Sequence, residues 1–183
     1  MRAFSIFAVA LAASVNAATL SKRDISSGVQ ACINGFNDAL PQLGTVTSKV
    51  NSFTRAAGYP GAIAVHSEEQ KLEALLKSTT TACCAVTTTV SNEEADAVIS
   101  VIDTVVPQIE AALAAITVKK PEFDAVLLAT NIVKGDIKNL DSQVTTLDNC
   151  LVAVTPDSYL DVANGYVTRV RTAFDTAEDA YGI

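Results

Sequence analysis

The segment SNEEADAVISVIDTVVPQIEAALAAIT, Ser91 to Thr117, decides how this chain folds. Its opening Ser91-Asn92-Glu93-Glu94 is a capping box, in which Ser91 and Glu94 each satisfy a backbone N–H left free at a helix start. Downstream, Ala95, Ile99, Ile102, Val106, Ile109, Leu113 and Ile116 recur at alternating steps of four and three. That spacing is a helical seam about three heptads long. Val98, Val101, Val105, Ala112 and Ala115 flank the seam, so the apolar face covers more than half the circumference. A face this wide predicts a central helix surrounded by others. Pro107 removes one backbone bond inside it and predicts a bend.

Four further segments carry helical seams. Asp24 to Phe53 is the first, with Ile25, Val29, Cys32, Phe36, Leu40, Leu43 and Val50 on one face and an interruption expected at Pro41 and Gly44. Gly58-Tyr59-Pro60-Gly61 reads as a turn, and Ser67 with Gln70 as the capping box of a second helix running towards Val90. Lys119-Lys120-Pro121 closes the Ser91 helix and opens a fourth from Glu122 to Val154, weakest at Gly135. Thr155-Pro156-Asp157 restarts the chain for a fifth, with Leu160, Val167, Val170, Phe174 and Tyr181 along it. No stretch alternates with the period of a strand. The fold is read as all-α, an up-and-down bundle of about five helices whose successive members are antiparallel neighbours.

Residues 1–17 stand apart from that pattern. Arg2, an apolar run from Phe4 to Val15, and Val15-Asn16-Ala17 have the layout of a signal peptide with its cleavage site. Residues 18–23 form a short leader ending in the dibasic pair Lys22-Arg23, which leaves 24–183 as one helical domain. The first apolar run is too short to cross a membrane, and no later stretch reads as long and uncharged enough. Removing residues 1–23 takes Arg2, Lys22 and Arg23 from 13 basic residues and leaves ten against 20 acidic ones, a charge near −10. Nucleic acid and anionic membranes both require basic surface, so neither is an expected partner.

Four cysteines in a secreted chain imply two disulfides. Adjacent Cys83 and Cys84 are poorly placed to bond each other on a helix. In an alternating bundle, helical rise puts Cys32, Cys83, Cys84 and Cys150 roughly 6–12 Å from the same end. Two pairings satisfy that layer: Cys32–Cys83 with Cys84–Cys150, or the exchanged partners. Secretion and the missing C-x-x-C spacing argue against a metal centre.

Chemistry-bearing motifs are scarce. The one histidine, His66, precedes Ser67 and reads as a solvent-facing loop residue. Neither a nucleophile elbow, nor an H-E-x-x-H pair, nor a glycine-rich phosphate loop is present. Acidic residues such as Glu68-Glu69, Glu93-Glu94 and Asp175 to Asp179 read as solvated helix faces. The chain is expected to be a non-enzyme needing no cofactor.

The signal peptide, the Lys-Arg leader end, Asp24-Ile25, the Leu72-Glu73-Ala74-Leu75-Leu76 helix and the closing Tyr166 … Ala180-Tyr181 helix together resemble the fungal hydrophobic surface-binding protein A family and related cell-wall galactomannoproteins. The resemblance spans Asp24 to Ile183. It implies secretion, attachment to hydrophobic surfaces, recruitment of secreted polymer-degrading esterases and, in some relatives, capture of a fatty acid inside the bundle. The chain carries no Ser/Thr-rich tail and no apolar C-terminal signal, so a freely secreted form is expected over a wall-anchored one.

Two readings stay open, a lipid-binding bundle and a surface adhesin that recruits esterases, with a structural wall mannoprotein as a third. For the first, bends at Pro41, Pro107 and Gly135 would loosen packing around a long-chain fatty acid or other lipid. Phe36, Leu40, Leu43, Ile99, Val106, Leu127 and Val133 are the expected tail contacts. Thr47 and Thr130 fall at similar heights and are the expected head-group donors.

Overall fold

The computed structural model describes Ile25 to Ile183; residues 1–24, including the leader and its dibasic end, lie outside the described residues. Five helices account for almost all of it: α1 Ser27–Ser52, α2 Gly58–Cys84, α3 Asn92–Asp124, α4 Ala129–Val154 and α5 Leu160–Tyr181. Short 3-10 turns, Arg55–Ala57 and Asp157–Tyr159, precede α2 and α5. The described chain is an all-α bundle.

Helix starts follow the local chemistry. Ser91 Oγ accepts from the Glu94 N–H at 3.2 Å, and the Glu94 carboxylate accepts from the Ser91 N–H at 2.9 Å, completing the capping box. The same carboxylate accepts from the Ser26 N–H at 3.0 Å, where Ser26 caps α1. One side chain therefore ties the starts of α1 and α3. Those bonds, Ser26 first, hold the Glu94 carboxyl down at about 2.

Several expected boundaries move. The Gly58-Tyr59-Pro60-Gly61 cluster begins α2 rather than preceding a loop, because proline is tolerated in a first helical turn. Ser67 lies inside α2 and donates to the Ile63 carbonyl, so it caps nothing. α1 runs unbroken through Pro41, and α3 through both Pro107 and Pro121. All three prolines sit at exposed positions, where a missing N–H is cheapest. α4 consequently starts at Ala129, after a turn in which Leu128 takes a φ of 70°. A non-glycine residue in that region is uncommon.

The neighbour pattern defines the architecture. α1 packs on α2 and α3, α2 on α4, α4 on α5 and α5 on α3, whereas α3 and α4 barely touch. The helices form a closed ring in the order α1, α2, α4, α5, α3. Only α1 with α2 and α4 with α5 are both consecutive and principal neighbours. α3 is thus a wall of the ring and not its central helix. Contrary to the sequence expectation, α3 is long and apolar enough to cross a membrane, and less than a quarter of that window is buried. The wide apolar face looks inward across an open centre.

Disulfides Cys32–Cys83 and Cys84–Cys150 staple α1 to α2 and α2 to α4, which resolves the pairing left open by sequence. Beside the first bridge, α1 and α2 approach closely at Gly35, where a Cβ would lie 2.8 Å from Thr79 Oγ1 and 3.0 Å from Thr79 Cα. The opposite end is plugged by Phe53 and Phe123, stacked with centroids 4.1 Å apart. Tyr181 is 2% exposed there and donates to the Ile116 carbonyl at 3.0 Å. Lys119 Nζ donates to the Phe53 carbonyl at 3.0 Å and fixes the end of α1.

Candidate functional site

Because five helices ring a centre that none of them occupies, their inner faces enclose an apolar chamber of about 230 Å³. Its lining runs from Val29, Cys83 and Val154 near the disulfides to Val50 and Ile116 below the aromatic plug. Along α1 alone, Val29 to Val50 covers roughly 30 Å of helical rise. The space is long and narrow. Engineered apolar cavities of ~150 Å³ admit benzene, whereas typical small-molecule sites hold about 300–1,000 Å³. A chamber of this shape suits one flexible hydrocarbon chain better than a ring system.

Of the expected tail contacts, Phe36, Leu40, Leu43, Ile99, Val106 and Val133 all line the chamber. Leu127 does not: it is 84% exposed in the turn between α3 and α4. The sequence reading began α4 at Glu122 and so placed Leu127 on a seam that does not exist. The two expected head-group donors also lie off the chamber lining. Thr47 Oγ1 donates to the Leu43 carbonyl at 2.8 Å, and Thr130 Oγ1 donates to Asp124 Oδ1 at 2.7 Å near the α3–α4 turn. Their hydroxyls are spent locally, the common fate of a helix threonine.

Polar groups missed by sequence interrupt the wall instead. Glu69, expected on a solvated face, is 3% exposed and lines the chamber together with Asp136 of α4. His66, expected in a loop, lies within α2 with Nδ1 2.8 Å from Asp136 Oδ1 and 3.7 Å from Glu69 Oε2. A ring nitrogen of His66 and one carboxylate oxygen each of Glu69 and Asp136 all fall within 4.8 Å of one another. Burial foremost, then repulsion from neighbouring carboxylates, pushes Glu69 well above the usual carboxylate range; burial also raises Asp136, against the pull of His66. The sequence did hold the signal. With α2 begun at Gly58, the inward series Ala62, Val65, Glu69, Leu72, Leu76, Thr79, Cys83 steps by three and four, and Glu69 is its one charged member. The preceding Glu68 faces outward, where Gln42 and Lys71 satisfy it.

Asp148 is a third acid on the chamber wall. Burial raises its carboxyl to about 6, with Arg171 opposing and Asp141 adding to the shift. The folded protein therefore holds a proton that the unfolded chain releases above an ordinary aspartate value of about 3.9. This contribution to stability is complete below that value and is lost as pH climbs towards 6. Asp148→Asn cannot lose the proton, so it should raise stability at pH 7 by about 1–2 kcal/mol after allowance for partial exposure. Near pH 3.5 it should change nothing. Urea titrations of both proteins at the two pH values check the sign.

The sequence profile of the hydrophobic surface binding protein A family matches residues 29–153. No curated protein sequence matches. Among solved structures, the chain is similar to Afmp4p in complex with palmitic acid, with a TM-score of 0.77 at 23% identity, covering 84% of this chain and 99% of that one. It is also similar to ligand binding domain 2 of the Penicillium marneffei MP1 protein, complexed with multiple arachidonic acids, with a TM-score of 0.74 at 16% identity over 88% and 97% of the two chains. Domain 1 of that protein, complexed with arachidonic acids, gives a TM-score of 0.69 at 16% identity over 83% and 99%. At these identities the likeness is one of fold.

Proposed function

This chain belongs to the hydrophobic surface binding protein A family, and from that membership and its hollow interior we propose a secreted, non-enzymatic protein that holds the hydrocarbon chain of a fatty acid. The observation that carries this reading is the elongated apolar chamber at the centre of the helix ring. Solved proteins of the same fold are complexes with palmitic and arachidonic acids, which supports the ligand class. The described residues gather no nucleophile–base pair on that wall, where the polar groups are carboxylates, threonines and two tyrosines whose hydroxyls donate to Asp96 and Asp103. The lining residues include no lysine or arginine to pair with a fatty-acid carboxylate, so affinity comes chiefly from the tail.

Burying about fourteen methylenes at ~0.8 kcal/mol each contributes roughly 11 kcal/mol. Association and ordering costs of several kcal/mol leave a Kd on the order of micromolar. Titration with a fluorescent long-chain fatty acid, followed by displacement with palmitate, should give saturable binding in that range. Absence of saturation would refute the reading.

Exposed leucines support a second role in attaching to hydrophobic solids. Val118 is 76%, Leu127 84% and Leu128 56% exposed, all at the end of the bundle opposite the disulfides. Water-exposed aliphatic groups gathered at one tip, one of them on a residue in a strained backbone region, are suited to contact an apolar surface. Depletion of the protein by polyester particles should survive a few hundred millimolar salt, because screening acts only on charge. Leu127→Ser with Leu128→Ser should lower adsorption severalfold while leaving fatty-acid titration unchanged. Adsorption unaffected by the double change would place the contact elsewhere. Recruitment of an esterase to such a surface is the corresponding partner proposal.

A further inference from the structure

We propose that His66, Glu69 and Asp136 form a binding site for one divalent transition-metal ion of the zinc class, set into the wall of the ring between α2 and α4. The proposal does not rest on fatty-acid binding. It begins with Glu69, whose two carboxylate oxygens are buried without a hydrogen-bond partner. A buried carboxyl is ordinarily hydrogen-bonded, protonated or bound to metal, because a bare charge in the interior is costly. Here the surrounding groups deepen the problem. Asp136 approaches from α4, and Glu73, one turn further along α2, has an unpartnered buried oxygen of its own. His66 is the basic side chain that reaches Glu69 and Asp136. None of the ion pairs among the described residues brings a lysine or arginine to them. The cluster gathers three acids around one basic side chain.

Its geometry fits a small cation. Zinc bonds imidazole nitrogen and carboxylate oxygen at about 2.0–2.2 Å, which sets ligand atoms roughly 3.3 Å apart around a tetrahedron. The His66 Nδ1 distances of 2.8 Å to Asp136 and 3.7 Å to Glu69 bracket that spacing. His66 and Glu69 are three residues apart on one helix face, and Asp136 faces them from the next wall, so an ion that takes the place of the His66 Nδ1–Asp136 hydrogen bond meets all three. The His66 side chain is 29% exposed and gives an ion a route from solvent. One nitrogen and two oxygens, with a position left open, is a donor set for zinc, cobalt or nickel. Magnesium and calcium take about six oxygen ligands and are poorly served here.

The test uses the whole protein, freed of any histidine tag and stripped with a chelator. Calorimetric titration with zinc chloride at pH 7 should show one ion per chain, and saturating zinc should raise the melting temperature. Magnesium chloride should do neither. His66→Ala and Asp136→Asn should each weaken zinc at least tenfold. Glu69→Gln keeps the shape and removes the carboxylate ligand, so that variant should remain folded by circular dichroism and still lose zinc. Cobalt should give d–d absorption bands that His66→Ala abolishes. Absence of saturable zinc uptake by the wild type, or uptake undiminished in a folded His66→Ala, Asp136→Asn double variant, would overturn the site.

Discussion

Val106→Trp should abolish or weaken fatty-acid binding at least tenfold while the helices stay intact. Val106 is 3% exposed on α3 and lines the chamber, so an indole built there projects into the space that the acyl chain would fill. The expected loss follows from the source of affinity. Each methylene denied its place forfeits ~0.8 kcal/mol, so two displaced methylenes weaken binding by more than tenfold. The same arithmetic predicts the ligand series: lengthening a saturated acid from twelve to fourteen carbons should tighten binding by about tenfold, until the chamber is full. Overpacking costs of roughly 1–3 kcal/mol are tolerable in a ring stapled twice. Circular dichroism and thermal melting control for unfolding. A folded tryptophan variant that binds palmitate as well as wild type would show that the chain does not enter the chamber.

Loss of the disulfides should produce the largest stability change. Cys32–Cys83 and Cys84–Cys150 close loops of 51 and 66 residues that do not overlap in sequence but meet at adjacent cysteines, so their effects should couple. Each should contribute about 2–4 kcal/mol, and the pair approaches the ~5–15 kcal/mol that holds an entire domain together. Cys32→Ala with Cys83→Ala should lower Tm by roughly 6–12 °C. The matching change at Cys84 and Cys150 should cost less. Cys32 and Cys83 are 2% and 1% exposed and pack with Phe36, Val105 and Leu147, so removing their sulfurs also opens a void. Equal losses, or a shift of only a degree or two, would contradict this ranking.

What the sequence made legible was local. Ser91 and Glu94 lie three residues apart, and their capping box needs no tertiary contact to form. The cysteine layer also emerged, since helical rise and alternating direction bring the thiols to one end. Closure of the ring did not emerge. Whether α3 sits at the centre or in a wall depends on which helices flank it, and a stripe of valine and isoleucine looks the same against packed neighbours as against an empty interior. Pro121 misled the reading of α4, because a proline at an exposed position of α3 can stay within the helix. That error carried Leu127 and Thr130 into a site they do not reach. Beginning α2 at Ser67 cut off Ala62 and Val65, and without them the inward position of Glu69 was hidden. A helix begun at Ser67 also leaves His66 in a loop, where the structure has helix.

The most direct measurement of the central claim is native mass spectrometry of the protein incubated with a mixture of saturated and unsaturated fatty acids and then desalted. A mass shift equal to a bound fatty acid, saturating at a fixed stoichiometry and reduced in Val106→Trp, is the result expected of a chain held inside the ring. A spectrum showing only the bare folded chain, or adducts that grow without limit and ignore the tryptophan, would contradict it.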